Sequence, residues 1–317
     1  MGGIDLTKFR PNLAATTDDY DWSKLQYPVL VSPKLDGIRC VTHPTMGPVS
    51  RSLKPIKNDE VRTYLANPML RWLDGELTVG PYNAPDVFSQ SQSGVMSVGG
   101  NPNWTYWVFD DFEAGHMCGF GIRLEDAMRV VGTHQIASDD YNHVRMLPHM
   151  RVDNYEELQV AEETALAEGF EGLMIRSLSG KYKFGRSTTR EGGLLKMKRF
   201  EDDEAQITDW SPLELNTNDP VFDAMGLQKR GYSKEGKVID DSRVGRFFCR
   251  GVEGSRWAGV GFWIGSGLDD DTRRALREAI RSGVDSPIGR KISYKYQAHG
   301  SKDAPRTPIW KGFRGDE

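Results

Sequence analysis

Lys34-Leu35-Asp36-Gly37 places a lysine two residues before an aspartate, on a turn between two extended runs. A lysine so placed can attack the α-phosphate of a nucleotide and become a phosphoramide, provided its amine is neutral. Asp-Gly is also a common hairpin dipeptide, so this element alone is equally a plain turn. Three further pieces, in fixed order, change the balance. Leu73-Asp74-Gly75-Glu76 puts two carboxylates at alternate positions of one strand, hence on one face. Glu171-Gly172-Leu173-Met174-Ile175-Arg176 supplies another acid beside a glycine that permits close backbone approach. Leu195-Lys196-Met197-Lys198 reads as a strand with both lysines on one face, a pattern that edge strands also use for solubility. A lysine is mostly protonated at neutral pH, so neighbouring cations must favour its neutral form. Lys196, Lys198, Arg39 and a bound metal can do this while neutralising charge on the phosphates. Mg²⁺ takes oxygen ligands, few of them from protein, so one or two of Glu171, Glu76 and Asp36 suffice. Phosphoryl-type transfer asks for little beyond such positioning and charge.

The elements that must hold these residues are mostly short. Tyr27 to Val41 reads as strand, turn and strand. Asn58 is a good N-cap for a short helix ending before Pro68. Leu73 to Val79 and the aromatic run Thr105 to Phe109, which leads into Asp110-Asp111, read as strands. Asn154 caps a helix through Glu168 that Gly169 stops. Phe170–Arg176 and Gly193–Lys198 complete an α+β set. After Phe200 the texture changes. An acidic connector, Glu201-Asp202-Asp203-Glu204, precedes short β-like runs at 205–210, 244–252, 259–264 and 291–296, with one helix from Asp271 to Arg281, capped by Asp269 or Asp271 and ended by Gly283. Several short strands with one helix fit an OB-fold β-barrel. The polar, glycine-punctuated stretch 216–237 is too long for an ordinary connector.

The 317 residues suffice for two domains, 1–200 and 201–317. The net charge of −4 excludes a whole-chain argument for nucleic-acid binding, so any such case rests on local patches. Two patches exist. Between Arg176 and Arg199, the cations Lys181, Lys183, Arg186, Arg190, Lys196 and Lys198 stand against a single acid, Glu191. Between Ser286 and Arg314, Arg290, Lys291, Lys295, Lys302, Arg306 and Lys311 stand against Asp303. A charge run is usually a solvated face, but two flanking a phosphate-handling site make an electrostatic footprint. Cys40, Cys118 and Cys249 are odd in number and far apart, which fits neither a disulfide framework nor a zinc cluster. No 18-residue apolar run occurs, so neither a secretory signal nor a membrane partner is expected, and the expected location is the cytoplasm.

The ordered pieces resemble the covalent nucleotidyltransferase superfamily, and within it the ATP-dependent DNA ligases of the small chlorella-virus and phage type. The likeness covers nearly the whole chain. It is strongest in Pro33–Arg39, in Ser50-Arg51-Ser52-Leu53-Lys54-Pro55-Ile56, in Gly169–Lys198 with its Gly180-Lys181-Tyr182-Lys183-Phe184-Gly185-Arg186-Ser187-Thr188, and in Gly300-Ser301-Lys302-Asp303 to Arg314. The resemblance implies an adenylyltransferase domain, ATP-grasp-like with antiparallel sheets, followed by an OB-fold. It implies that Lys34 carries AMP and that Asp36 lies near the attacking 3′-hydroxyl. Arg39 would hold the ribose or a nick phosphate, and Arg51 the nick 5′-phosphate. Glu76 would contact ribose, Glu171 would bind Mg²⁺ (with Mn²⁺ as a substitute), and Phe109 would stack on adenine. Lys196 and Lys198 would act on the phosphates, and Arg306 and Arg314 would orient pyrophosphate. Many cellular ligases carry glutamate where Ser32 stands, whereas the chlorella-virus type has a hydroxyl residue, so ATP remains the implied nucleotide. The DNA-facing set would include Lys54, Lys183 and Arg186. In the virus enzyme a loop clamps the duplex; here 216–237, with Lys229, Arg230, Lys234 and Lys237 around Tyr232, is similar in length and pattern. The implied partner is a nicked duplex encircled by a monomer. The rivals are an mRNA capping guanylyltransferase, which would form lysyl-GMP, and a catalytically silent nick-binding protein.

Overall fold

In chain order the first unit runs β1 (Val29–Pro33), β2 (Ile38–His43), β3 (Gly47–Ser50), α1 (Asp59–Leu65), β4 (Leu73–Val79), α2 (Val87–Met96), β5 (Trp104–Asp111), α3 (Phe120–Ser138), β6 (Val144–Met146), β7 (Met150–Val152), α4 (Tyr155–Ala167), β8 (Gly172–Ser177) and β9 (Leu194–Lys198). The second holds β10 (Glu201–Asn216), β11 (Pro220–Phe222), β12 (Gln228–Arg230), β13 (Lys237–Gly251), β14 (Gly261–Ile264), α5 (Asp270–Ser282), β15 (Lys291–Gln297) and β16 (Arg306–Phe313). The structure, a computed structural model, describes residues 5–314 except 18–19, 116, 223–227, 232 and 302. Tyr232 of the expected clamp and Lys302 of the last motif therefore lie outside the described residues. The two compact units are Met1–Lys198 and Arg199–Glu317.

Two sheets build the first unit. One is four-stranded in the order β7-β1-β8-β9, the other five-stranded in the order β3-β2-β4-β5-β6. Their named ladders are antiparallel except β5 with β6. Period-2 alternation divides each strand between a core and a site. Val29, Val31, Leu173, Ile175, Leu195 and Met197 enter one apolar core with Leu158, Ala161 and Ala165 of α4. Cys40, Leu73, Leu77, Tyr106 and Val108 enter another with Ala127 and Val131 of α3. Local chemistry starts the helices: Asn58 accepts from Val61 N, and Asn154 accepts from Glu157 N while Glu157 reaches back to Asp153 N.

Helices α2 and α3 have no counterpart in the sequence reading. Neither has a side-chain cap, and α3 turns Arg123 and His134 inward, which interrupts its apolar period.

In the second unit the five-stranded sheet runs β14-β13-β10-β15-β16 around its own core, centred on Ala205, Phe247, Ile264, Ile292 and Tyr294. A bridge between Ser266 and Ile309 brings the sheet's two ends together, the partly open form of an OB barrel. Asp269 caps α5 by accepting from Thr272 N at 2.7 Å, and Gly283 ends it at φ 72°.

One expectation needs correction. The acidic stretch Glu201–Glu204 is no connector; it is strand, paired with Ser293–Tyr296 of β15. The stretch 216–237 carries two short strands among its described residues. β11 and β12 pair within it, and Asn216 pairs with Lys237, so β10 and β13 extend beyond the barrel as a two-stranded arm.

Candidate functional site

A cavity of about 300 Å³ in the first unit is lined by residues from both of its sheets. Ser32, Met174 and Lys196 occupy one cross-strand row of β1, β8 and β9. In the next row Gly172 pairs with Lys198, and Lys34 N donates to Gly172 O at 2.9 Å, which fixes the backbone under the Lys34 side chain. A Cβ at Gly172 would lie 2.1 Å from Met197 O, so only glycine allows this approach. From the other sheet come Arg39 and Glu76, directly paired across β2 and β4.

At the centre Lys34 Nζ contacts one oxygen of Glu171, and Lys198 Nζ stands 3.7 Å from the other. Glu171 is buried and Lys34 is about one-fifth exposed, so the amine is open to a ligand from one side. Burial pushes the Glu76 carboxyl up to about 7; Arg39 and Lys34 oppose the rise, and Asp74 and Asp36 add to it. Asp74 grips Arg39 through both carboxylate oxygens and also accepts from Tyr182 Oη at 2.5 Å. Burial works against the Arg39 charge, but Asp74 outweighs it and holds the guanidinium above its usual pKa.

A bulge in β5 re-aims its end. Asp74 pairs with Asp110 while Gly75 pairs with Val108, leaving Phe109 as the extra residue. Phe109 lines the cavity with the Arg39 and Arg176 guanidinium carbons 4.6 and 5.1 Å from its ring centroid. Asp110, fully buried, accepts from Arg123 Nε at 2.8 Å and from Arg176 Nη1 at 2.8 Å. Burial, with Arg39 and Arg123 nearby, still leaves Arg176 below its usual pKa.

The structure thus gathers Ser32, Lys34, Arg39, Arg51, Glu76, Phe109, Glu171, Arg186, Lys196 and Lys198 around one cavity. Asp36 is outside the lining, though close enough to act on Glu76. Lys54 is exposed and not part of the lining. Lys183 faces a second hollow of about 500 Å³ and pairs with Glu191 at 2.7 Å. Arg306, Arg314, Lys229, Arg230, Lys234 and Lys237 belong to the second unit. There Arg314 pairs with Glu204 and Lys237 with Glu214. Sequence reasoning missed Leu13, Ala14, Leu147, Met174 and Arg176 as lining residues. Met174 and Arg176 were legible as the alternate face of β8; Leu13 and Ala14 carry no motif.

Among the described residues, no group of three or more His, Cys, Asp or Glu side chains is gathered to hold a metal ion alone. The donor set nonetheless suits Mg²⁺, which needs one or two carboxylates and takes its other oxygens from phosphate and water.

The ATP dependent DNA ligase domain model matches residues 11–198, and a DNA ligase OB-like domain model matches residues 235–314. The solved chlorella virus DNA ligase-adenylate is similar over 98% of this chain and 99% of its own, at 31% identity and a TM-score of 0.54. A Lig E DNA ligase is similar over 96% of this chain and 99% of its own, at 22% identity and a TM-score of 0.65. A ligase structure designated Pmar-Lig matches 98% of this chain and 68% of its own, at 18% identity and a TM-score of 0.71. The last two show a shared fold. Among curated proteins none matches the chain.

Proposed function

The chain belongs to the ATP-dependent DNA ligase family, and from that premise we propose that it seals 3′-hydroxyl/5′-phosphate nicks in duplex DNA through a lysyl-AMP on Lys34. One observation carries the assignment of the nucleophile: Lys34 Nζ reaches the cavity in contact with Glu171, beside Lys198. Neutral Nζ attacks the α-phosphorus of ATP, the N–P bond forms, and the P–O bond to pyrophosphate breaks. A 5′-phosphate oxygen of the nick next takes AMP from the lysine, and the 3′-hydroxyl oxygen then displaces AMP from the DNA-adenylate. Arg39, Arg51, Arg186, Lys196 and Lys198 supply the positive charge that successive phosphates need. Ser32, Met174 and Phe109 offer walls for the adenine, and Glu76 a contact for its ribose. Arg306 and Arg314 of the second domain orient the pyrophosphate during loading.

Glu171, with Glu76 and Asp36 near, would hold Mg²⁺. Its chemistry there is electrostatic: positive charge beside Lys34 and the phosphates, which favours the neutral amine. Residues 1–200 form the adenylation domain and 201–317 the OB domain, whose arm and loop 216–237 close on the duplex around a monomer.

Labelling with ATP tests the reading. The protein should acquire covalent AMP from α-labelled ATP and nothing from GTP. Lys34→Ala should acquire none, while a pre-adenylated nick is still sealed. Label on Lys34→Ala would mean another nucleophile, and label from GTP alone a capping-type enzyme.

A further inference from the structure

An extended stretch ahead of β1 is stitched to the segment that leads into β9. Leu13 N donates to Gly185 O at 2.8 Å, Ser187 N donates to Leu13 O at 2.8 Å, and Ala15 N donates to Leu194 O at 3.0 Å. Isolated parallel bridges join Leu13 with Arg186 and Ala15 with Leu195. In extended backbone, the N–H and C=O groups of successive residues point to opposite sides. With Leu13 and Ala15 bonded to this segment, the carbonyls of Asn12 and Ala14 face the other way. Arginines take both. Arg39 Nη2 donates to Asn12 O at 3.1 Å, and Arg186 Nη1 donates to Ala14 O at 2.6 Å. Asn12 is 2% exposed, and its Oδ1 accepts from Ser187 Oγ at 3.2 Å.

We infer that residues 12–14 are a gauge that sets the spacing and aim of Arg39 and Arg186, so that a nick 5′-phosphate is held between them; this rests on the nick-sealing reading above. Asn12 and Ala14 are positioning residues, acting through the two arginines. A guanidinium has five N–H donors: Arg186 gives one to the Ala14 carbonyl and keeps the others for phosphate oxygens, while Arg39, with Nε and Nη2 engaged by Asp74 and the Asn12 carbonyl, keeps Nη1. A neutral carbonyl orients Arg186 without cancelling its charge, as a carboxylate would. Arg51 completes the group: burial, then Arg186, then Arg39 hold its pKa below the usual value against the opposing pull of Glu76, as expected where three guanidinium groups approach each other.

Inserting one glycine between Leu13 and Ala14 tests the gauge, since a one-residue slip turns one of the two carbonyls away while Phe9 stays in its core position. The measurements are binding of nicked duplexes that end in a 5′-phosphate or a 5′-hydroxyl, and formation of lysyl-AMP. Misaiming one charged donor should cut the preference for 5′-phosphate roughly tenfold or more. Binding of the 5′-hydroxyl nick should fall far less, a split that general loosening of the fold would not give. Asn12→Ala, which removes the Ser187 hydrogen bond alone, should shift the preference a few-fold in the same direction. It decides the matter if circular dichroism shows the insertion variant unfolded. An unchanged 5′-phosphate preference in the folded variants overturns the inference. If the unaltered protein forms no lysyl-AMP, the ligase reading fails first, and this inference with it.

Discussion

Asp111 is 5% exposed, sits beside Asp110, and accepts from Glu113 N at 2.8 Å. Burial pushes its carboxyl up to about 7; the Glu113 hydrogen bond opposes the rise, and Asp110 adds to it. The folded protein therefore keeps a proton there that the unfolded chain releases near pH 4. This contribution to stability is complete below about pH 4 and is lost as pH rises to about 7. Asp111→Asn should leave stability near pH 4 unchanged and raise it at pH 8 by about 1–3 kcal/mol. Urea unfolding at the two pH values checks this; equal effects at both would mean that the carboxyl ionises freely in the fold. Asp110, its neighbour, plays a different part, because it pairs directly with both Arg123 and Arg176. Two adjacent acids thus take different roles, which their positions in the sequence do not distinguish. Strand alternation turns them to opposite faces, and the bulge at Phe109 just before them sets which face each takes, a backbone feature with no residue signature here.

Strands were the most legible elements because alternation states both the period and the face. Lys196 and Lys198 read as one face, and Leu195 and Met197 as the other, and the ladder with β8 keeps that division. Caps were equally readable where a side chain makes them. Asp269 is the example on α5, and Asp269→Ala should cost about 1 kcal/mol, seen as a lower unfolding midpoint with unchanged cooperativity. No loss at all would mean that Asp270 or Asp271 takes over the cap. Helix α3 was illegible because its inward face carries Arg123 and His134, buried by partners remote in the chain. The stretch 12–14 was illegible for a related reason. Its contribution is made by backbone carbonyls, which every residue has.

At the scale of the whole molecule, the arm formed by β10 and β13 permits a clean excision. Asn216 and Lys237 are already paired, so a short Gly-Ser turn can join them in place of residues 217–236. The excised protein should form lysyl-AMP normally yet bind a nicked duplex more weakly. Its binding should also depend less steeply on salt, the slope of log K against log salt shrinking by about 0.9 for each phosphate the protein no longer neutralises. Unchanged affinity and slope would mean that the loop is no clamp. The same arm divides a single strand into two regimes. Within the barrel β10 pairs with β15 over Glu201–Gln206 and with β13 from Ala205 onward, whereas Leu213–Asn216 pair with Lys237–Asp240, where Val238 and Ile239 are exposed. Pro212 stands between the halves, at a register shift, and has no amide to donate. In deuterated water the inner amides would hold their protons until the barrel opens, while those of 213–216 would exchange by fraying of a ribbon two strands wide. Deuterium would therefore climb one continuous strand from its outer end and halt at the proline.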